Sequence, residues 1–226
     1  MFGEQELIKM SQLIFKFPFK TNYFEEDFYV AENNFEAYKL IESWPKWSSR
    51  FINIFGPSGC GKTHLANIFS KKINSFLIKA SELNNNNLSS IKIKECLIVD
   101  EYQSNVEEKL FYSVLSQSFL SNQFIIINSL KPIQSFEINL NDLKSRLSSF
   151  VNISINLPTD ELIKVIISKN FSDKQVKIEN KLLEYIIKNI DRSYESIFDL
   201  INKLDEFSLS TGKSININLI KKALNK

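Results

Sequence analysis

Up to about residue 157 the chain alternates short, continuous apolar runs with longer segments of helical period. Phe51-Ile52-Asn53-Ile54-Phe55, Phe76–Lys79, Cys96–Val99 and Phe124–Ile127 predict four buried strands, and the alternating Val151, Ile153, Ile155 and Leu157 predict a fifth, stopped by Pro158. Between them, apolar residues recur at helical spacing in Phe35–Ile41, ended by Trp44-Pro45, in Lys62–Lys72, where Leu65, Ile68 and Phe69 face inward, in Val106–Leu120 and in Asn139–Leu147. Ser81–Ser90 reads as a polar loop. From Thr159 only the helical period remains. Thr159 or Asp160 caps a helix through Asn170, Asn180 opens one to about Ile190, Ser193 starts a third that reaches Thr211 and stops at Gly212, and a last covers Asn216–Leu224. The pattern predicts an α/β unit with a five-stranded parallel sheet between helices, followed by an all-helical subdomain.

The first strand breaks into Gly56-Pro57-Ser58-Gly59-Cys60-Gly61-Lys62-Thr63 and then a helix beginning with Lys62-Thr63-His64-Leu65. This fits G-x-x-x-x-G-K-[ST] in full, in the strand-to-helix setting its mechanism requires. The glycines let the backbone turn its N–H groups and the positive end of the helix toward one polyphosphate. Lys62 is placed to reach the β and γ phosphates, and the Thr63 hydroxyl to ligate Mg²⁺. His64 is the sole histidine, and with no second histidine or cysteine pair at zinc spacing it reads as a packing or surface residue of the loop's helix.

The third apolar run ends in Asp100-Glu101. Ligands of open α/β sheets bind at the carboxyl ends of the strands, so Asp100 is a candidate to complete the metal site begun by Thr63, and Glu101 to orient or activate an attacking water. An acidic pair after a strand also serves as a helix cap. Asn128, at the end of the fourth run, would sit beside the γ phosphate and that water; its alternative is a turn residue.

Composition narrows the classes. Hydrophobic residues make up 43% and charged residues 24% of 226, with a net charge of +2. This is the balance of a globular chain, without the field expected of a general nucleic-acid or membrane-surface binder. No stretch approaches the roughly 18 apolar residues of a membrane span. Cys60 and Cys96 lie where a disulfide has no purpose, which favours a reducing cytoplasm. Near the start, Gln12-Leu13-Ile14-Phe15-Lys16-Phe17, closed by Pro18, reads either as a strand docking on its own domain or as an extended recognition peptide, with Pro18 holding Phe17 extended.

Both phosphate motifs, the polar strand end at Asn128, an isolated Arg146 and the helical C-terminal part, in this order, resemble the AAA+ ATPases. Within that class the chain is similar to the replication initiator DnaA and most of all to its shorter regulators, the Hda family. The residues that carry the resemblance are Gly56–Leu65, Ile98–Gln103, Ile126–Pro132, Asp142–Leu147 and Arg192–Asp205. It implies residues 1–22 as a clamp-binding segment, 23–157 as the nucleotide-binding subdomain and 158–226 as a helical lid. It implies ADP or ATP with Mg²⁺ as cofactors, held by Gly56 through His64. It implies DnaA and the polymerase sliding clamp (beta subunit) as partners, with self-association left open. Gln12, Leu13, Phe15 and Phe17 fall on the contact positions of the family's clamp-binding hexapeptide, although its proline and leucines are replaced. Arg146 would be an arginine finger acting in trans on ATP held by DnaA. Backbone near Tyr29–Ala31 would meet the adenine by family position.

Two further points follow from the resemblance. No counterpart of the initiator's helix-turn-helix domain follows the last lid helix, which implies no sequence-specific DNA binding. The family's lid sensor arginine falls at Glu195 or Ser196, neither of which donates to phosphate, and Arg192 lies one turn earlier. That departure implies tight ADP binding and weak intrinsic ATPase activity in a cytoplasmic negative regulator of replication initiation. Two other functions stay open on these residues: a helicase-loader-type P-loop ATPase, and a non-enzymatic adaptor with a structural nucleotide.

Overall fold

A computed structural model describes residues 25–211 and 214–224. Gln12–Phe17, with its clamp-binding positions, and Gly212 lie outside the described residues. Five strands, β1 (Phe51–Phe55), β2 (Ser75–Lys79), β3 (Cys96–Tyr102), β4 (Phe124–Ser129) and β5 (Val151–Ser154), form one parallel sheet in the order β2-β3-β4-β1-β5. The order brings the ends of β1, β3 and β4 together at the carboxyl edge of the sheet. Around the sheet lie α1 (Phe35–Glu42), α2 (Lys62–Lys72), α3 (Asn87–Lys92), α4 (Glu108–Leu120) and α5 (Asn141–Leu147). The helical part comprises α6 (Asp160–Asp173), α7 (Asn180–Asn189), α8 (Tyr194–Thr211) and α9 (Ile217–Ala223).

Strand periodicity sorts the core into two layers. Leu97, Val99, Ile125 and Ile127 point to one face and pack with Phe111, Val114 and Leu115 of α4 and Leu143 and Leu147 of α5. Ile52, Ile54, Cys96, Ile98 and Ile126 point to the other and pack with Leu65, Ala66 and Phe69 of α2. A third cluster, including Ile163, Ile167, Leu183, Ile186, Ile197 and Leu204, holds the four C-terminal helices together. Burial on both faces explains the continuous apolar runs of the central strands.

Asn53 is the exception inside β1. Fully buried, it donates to the Ile127 carbonyl (2.8 Å) and to Ser129 Oγ (2.8 Å) and accepts from the Ile133 amide (2.8 Å). These bonds satisfy both ends of the amide and fix the end of β4 beside β1.

Two expectations need correction. Ser81–Ser90 is not simply a loop: a 3-10 turn, Ala80–Glu82, is followed by α3. Asn84 Oδ1 accepts from the Asn86 amide at 3.0 Å, and Asn87 Oδ1 from the Asn84 amide at 2.7 Å. The asparagine run thus builds the turn that starts α3, and buried Ile91 anchors a stripe too short to register as a period. The fifth strand ends at Ser154 rather than Leu157, because the Asn156 amide leaves the ladder to bond the Asn33 carbonyl at 3.0 Å.

Candidate functional site

β1 delivers the chain into the glycine loop, and α2 leaves it. Gly61 is the N-cap of α2 with φ 97° and brings no capping side chain, so the first N–H groups of α2 face the loop. At Gly61 a Cβ would also lie 3.0 Å from the Phe28 ring. Gly59, at φ 77°, lies under α8, where a Cβ would stand 3.0 Å from Tyr194 Cβ. Both positions combine a left-handed backbone with a close neighbour and therefore require glycine.

Lys62 folds back along the loop, its Nζ donating to the carbonyls of Gly56 (2.8 Å) and Pro57 (2.9 Å) and lying 3.6 Å from Cys60 Sγ. Burial pushes the Cys60 thiol above its ordinary range, against the opposing pull of the Lys62 charge. Cys60 is therefore a neutral, buried packing group of the loop. His64 stands edge-on to Phe28 at 5.4 Å, in keeping with a packing role.

The carboxyl edge supplies the second half of the site. Thr63 Oγ1 donates to Asp100 Oδ2 at 2.7 Å, and Asn128 Nδ2 donates to Asp100 Oδ1 at 2.9 Å and to the Lys62 carbonyl at 3.2 Å. Two residues, from α2 and β4, thus converge on the buried Asp100 carboxylate of β3. Asn128 Oδ1 is buried with no protein partner. Glu101 is set apart: the β3–β4 register shifts between Val99 and Tyr102, Glu101 takes φ 56°, and its carboxylate pairs with Lys79 at 2.9 and 3.0 Å on the solvent side.

Cavities flank the loop on both sides. One of about 360 Å³ adjoins β3 and β4 and is lined by Lys62, Thr63, Asp100, Glu101 and Ser129 among others. Another, of about 460 Å³, lies toward the helical part, between Lys62, Thr63 and His64 and the side chains of Lys169, Asp173 and Phe198. Next to it, a space of about 170 Å³ has apolar walls from Phe28, Leu162, Val165, Ile166 and Phe198. A hydroxyl and a buried carboxylate beside the loop suit a magnesium ion that takes its remaining ligands from phosphate and water. Among the described residues no cluster of three or more His, Cys, Asp or Glu offers a protein-only metal cage.

Sequence reasoning missed the wall above the loop. Tyr194 OH accepts from Asn33 Nδ2 at 2.7 Å and donates to the Asn156 carbonyl at 3.4 Å. Burial raises its pKa to about 12. Asn34 accepts from the Ala31 amide (2.9 Å) and donates to the Tyr29 carbonyl (2.9 Å), which fixes the turn preceding α1. The signal available was the Asn33-Asn34 pair and the i, i+4 spacing of Tyr194 and Phe198. Tyr29 does line the smaller, apolar space.

Arg192 and Arg146 lie away from these cavities. Arg192 pairs with Asp160 at 2.9 Å, exposed on the helical part. Ser196 closes the N-terminal turn of α8, its amide donating to Ser193 Oγ at 3.1 Å, and Glu195 is exposed. The Arg146 guanidinium rests on the rings of Phe119 (4.7 Å) and Tyr112 (5.5 Å) of α4. Glu108 fixes the entry to α5 by accepting the amides of Asn139 (2.9 Å) and Leu140 (2.7 Å). Those amide bonds, the Asn139 amide foremost, hold the Glu108 carboxyl below its usual range.

A complete glycine loop, a carboxylate–asparagine pair on adjacent strand ends and a helical lid over the cleft define an AAA+ module. Residues 160–224 match the family model described as the Hda lid domain, and residues 52–157 match one described as RNA helicase. The chain thus combines an AAA+ fold with a lid of the Hda type and is similar to DnaA-related proteins.

An uncharacterized protein of Haemophilus influenzae is 26% identical over 220 residues, covering 88% of this chain and 92% of that protein. DnaA of Borreliella afzelii is 24% identical over 238 residues, covering 93% of this chain and 49% of its own length, so the chain spans about half of that initiator. Domain III of Thermotoga maritima DnaA superposes with a TM-score of 0.73 at 22% identity, over 92% of this chain and 98% of that one. AMPPCP-bound DnaA from Aquifex aeolicus gives a TM-score of 0.67 at 22% identity, over 84% of this chain and 67% of that one. No helix among the described residues is long and apolar enough to cross a membrane.

Proposed function

We propose that the chain retains an adenine nucleotide, ADP or ATP, in the cleft between loop and lid, and acts as a negative regulator of replication initiation on ATP held by DnaA. The observation that carries this reading is the lid face above the loop. It presents Tyr194 and Phe198, while Arg192 is paired with Asp160 outside the cleft. A lid without a phosphate-directed arginine favours holding a nucleotide over turning it over.

On binding, Lys62 exchanges two loop carbonyls for phosphate oxygens, and the α2 N-terminus adds its N–H groups and dipole. Thr63 and Asp100 would hold Mg²⁺, which neutralises charge on the β and γ oxygens. Asn128 keeps the Asp100 carboxylate oriented. Arg146, on α5 and away from its own cleft, is the group offered to a partner's ATP. An arginine supplied in trans is worth about 10³ to 10⁵ in rate for this class of reaction. Gln12, Leu13, Phe15 and Phe17 are the proposed contacts to the sliding clamp.

The deciding experiment measures hydrolysis of DnaA-bound ATP with clamp loaded on DNA. Wild type is expected to accelerate it, Arg146→Ala to lose the acceleration while still binding ADP, and deletion of Met1–Phe19 to lose clamp dependence. Equal stimulation by wild type and Arg146→Ala would overturn the finger. Rapid steady-state turnover by the isolated chain, abolished by Lys62→Ala, would overturn nucleotide retention.

A further inference from the structure

A nucleotide has a fixed covalent order of phosphate, sugar and base, so a site that separates phosphate from base compartments also defines where the sugar lies. Here the larger lid-side cavity carries Lys62 and Thr63 of the phosphate loop, and the smaller one carries the apolar side chains of Leu162, Val165 and Ile166. The phosphate loop runs along both, and facing it Asp27, Lys169, Asn170 and Phe198 line both as well. Among these facing residues Asp27 and Lys169 are the charged pair where the two compartments meet.

Asp27 and Lys169 come from opposite sides of the cleft, the segment before α1 and helix α6. Lys169 Nζ pairs with Asp27 Oδ1 across 142 positions of sequence. Two ligand chemistries suit such a junction. A free lysine would favour phosphate. This lysine is already paired with Asp27, while Lys62, the other lysine of the larger cavity, belongs to the phosphate loop. The junction therefore offers phosphate no free cation of its own, and its carboxylate accepts neutral hydroxyl donors. A carboxylate accepts through both oxygens, and Lys169 engages only Oδ1 in this contact. Acidic side chains read ribose hydroxyls in this way at other nucleotide sites.

We propose that Asp27, held in place by Lys169, accepts the ribose 2′-hydroxyl of the bound nucleotide and makes the site selective for ribonucleotides over 2′-deoxyribonucleotides. This inference rests on the nucleotide-binding reading above. Both side chains are about one-third exposed, at 36% and 35%, so the selectivity is that of one charge-assisted hydrogen bond at a wet site. It amounts to roughly tenfold in Kd.

The test is calorimetric titration of the full chain with ADP and with 2′-deoxy-ADP, both with Mg²⁺. Wild type is expected to prefer ADP roughly tenfold. Asp27→Ala should weaken ADP to the level of 2′-deoxy-ADP and leave 2′-deoxy-ADP unchanged. Lys169→Met, which keeps the apolar stem but cannot hold the carboxylate, should also narrow the gap. Unchanged thermal unfolding of the ligand-free variants checks that they are folded.

Equal affinity of wild type for both nucleotides, or equal weakening of both by Asp27→Ala, would overturn the proposal. If Lys62→Ala abolishes binding of both in that case, the nucleotide site itself stands and only the sugar assignment falls. Failure of wild type to bind either nucleotide removes the nucleotide reading and this inference with it.

Discussion

Asn128 Nδ2 donates to Asp100 Oδ1 at 2.9 Å, joining the ends of two adjacent strands at the floor of the cleft. With Thr63 on the other carboxylate oxygen at 2.7 Å, the Asp100 charge is buried only because both oxygens are satisfied. The same two bonds that make this carboxylate tolerable in the fold fix its orientation beside the phosphate loop.

Replacing Asn128 with Leu keeps the volume and removes the donor. Asp100 Oδ1 then becomes a buried acceptor without a partner, which costs about 1.5–3 kcal/mol. Urea unfolding should show the loss as a lower midpoint with unchanged slope, and Mg²⁺-dependent nucleotide affinity should fall as well.

Gly61→Ala places a side chain at φ 97°, with the Phe28 ring at 3.0 Å. The backbone strain alone is of order 1–3 kcal/mol. Calorimetric titration should show nucleotide binding lost, and thermal unfolding should start at lower temperature. Gly61→Ala combined with Phe28→Ala should recover only the part due to the clash.

Burial raises both Tyr102 and Tyr194 to pKa values of about 12, from the ordinary 10. Between these values the unfolded chain has released protons that the folded chain retains, so stability falls as pH rises through this window and is fully present below about pH 10. Unfolding measured from pH 8 to 12 should show the decline, and Tyr102→Phe with Tyr194→Phe should flatten it. At neutral pH Tyr194→Phe should cost about 1 kcal/mol, since Asn33 Nδ2 loses its 2.7 Å acceptor.

Lys79 holds Glu101 away from the floor of the cleft through an exposed pair. Such pairs contribute little to stability. Lys79→Ala should therefore leave thermal unfolding unchanged while raising slow intrinsic ATP hydrolysis, as Glu101 becomes free to face the cavity it lines. Glu101→Gln in the same background should remove the gain.

Arg146 stacks on Phe119 and Tyr112, and losing a partly buried cation–aromatic contact costs about 0.5–2 kcal/mol. Arg146→Ala should shift the unfolding midpoint by that small amount while, on the proposed function, removing stimulation of DnaA. A large loss of stability would show that this arginine serves the fold.

The phosphate loop, the two cores and the helical lid were legible because each rests on local patterns: G-x-x-x-x-G-K-T after a strand, period 2 on buried strands, and capped helices such as α6, where the Leu162 amide donates to Thr159 Oγ1 at 3.3 Å. Asp100 and Asn128 were readable as strand-end polar residues, although their bond to each other was not. α3 escaped because its turn is built by asparagine side chains and its apolar stripe is only Leu88 and Ile91. Glu101 lies next to Asp100 in the chain but stands at the solvent side of the cavity it lines, where a register shift in β3 brings it to Lys79.

By itself the sequence determined the class of the module and the identity of the loop, because backbone turns, helix starts and strand burial are set by residues within a few positions of one another. Only the tertiary structure decided what closes the cleft: Asn33 with Tyr194, 161 positions apart, and Asp27 with Lys169, 142 apart. Only it showed that Arg192 is taken up by Asp160 and that Arg146 rests on its neighbouring helix. No local pattern encodes such pairs. They exist because the sheet order and the packing of the lid bring distant side chains within hydrogen-bond or van der Waals reach.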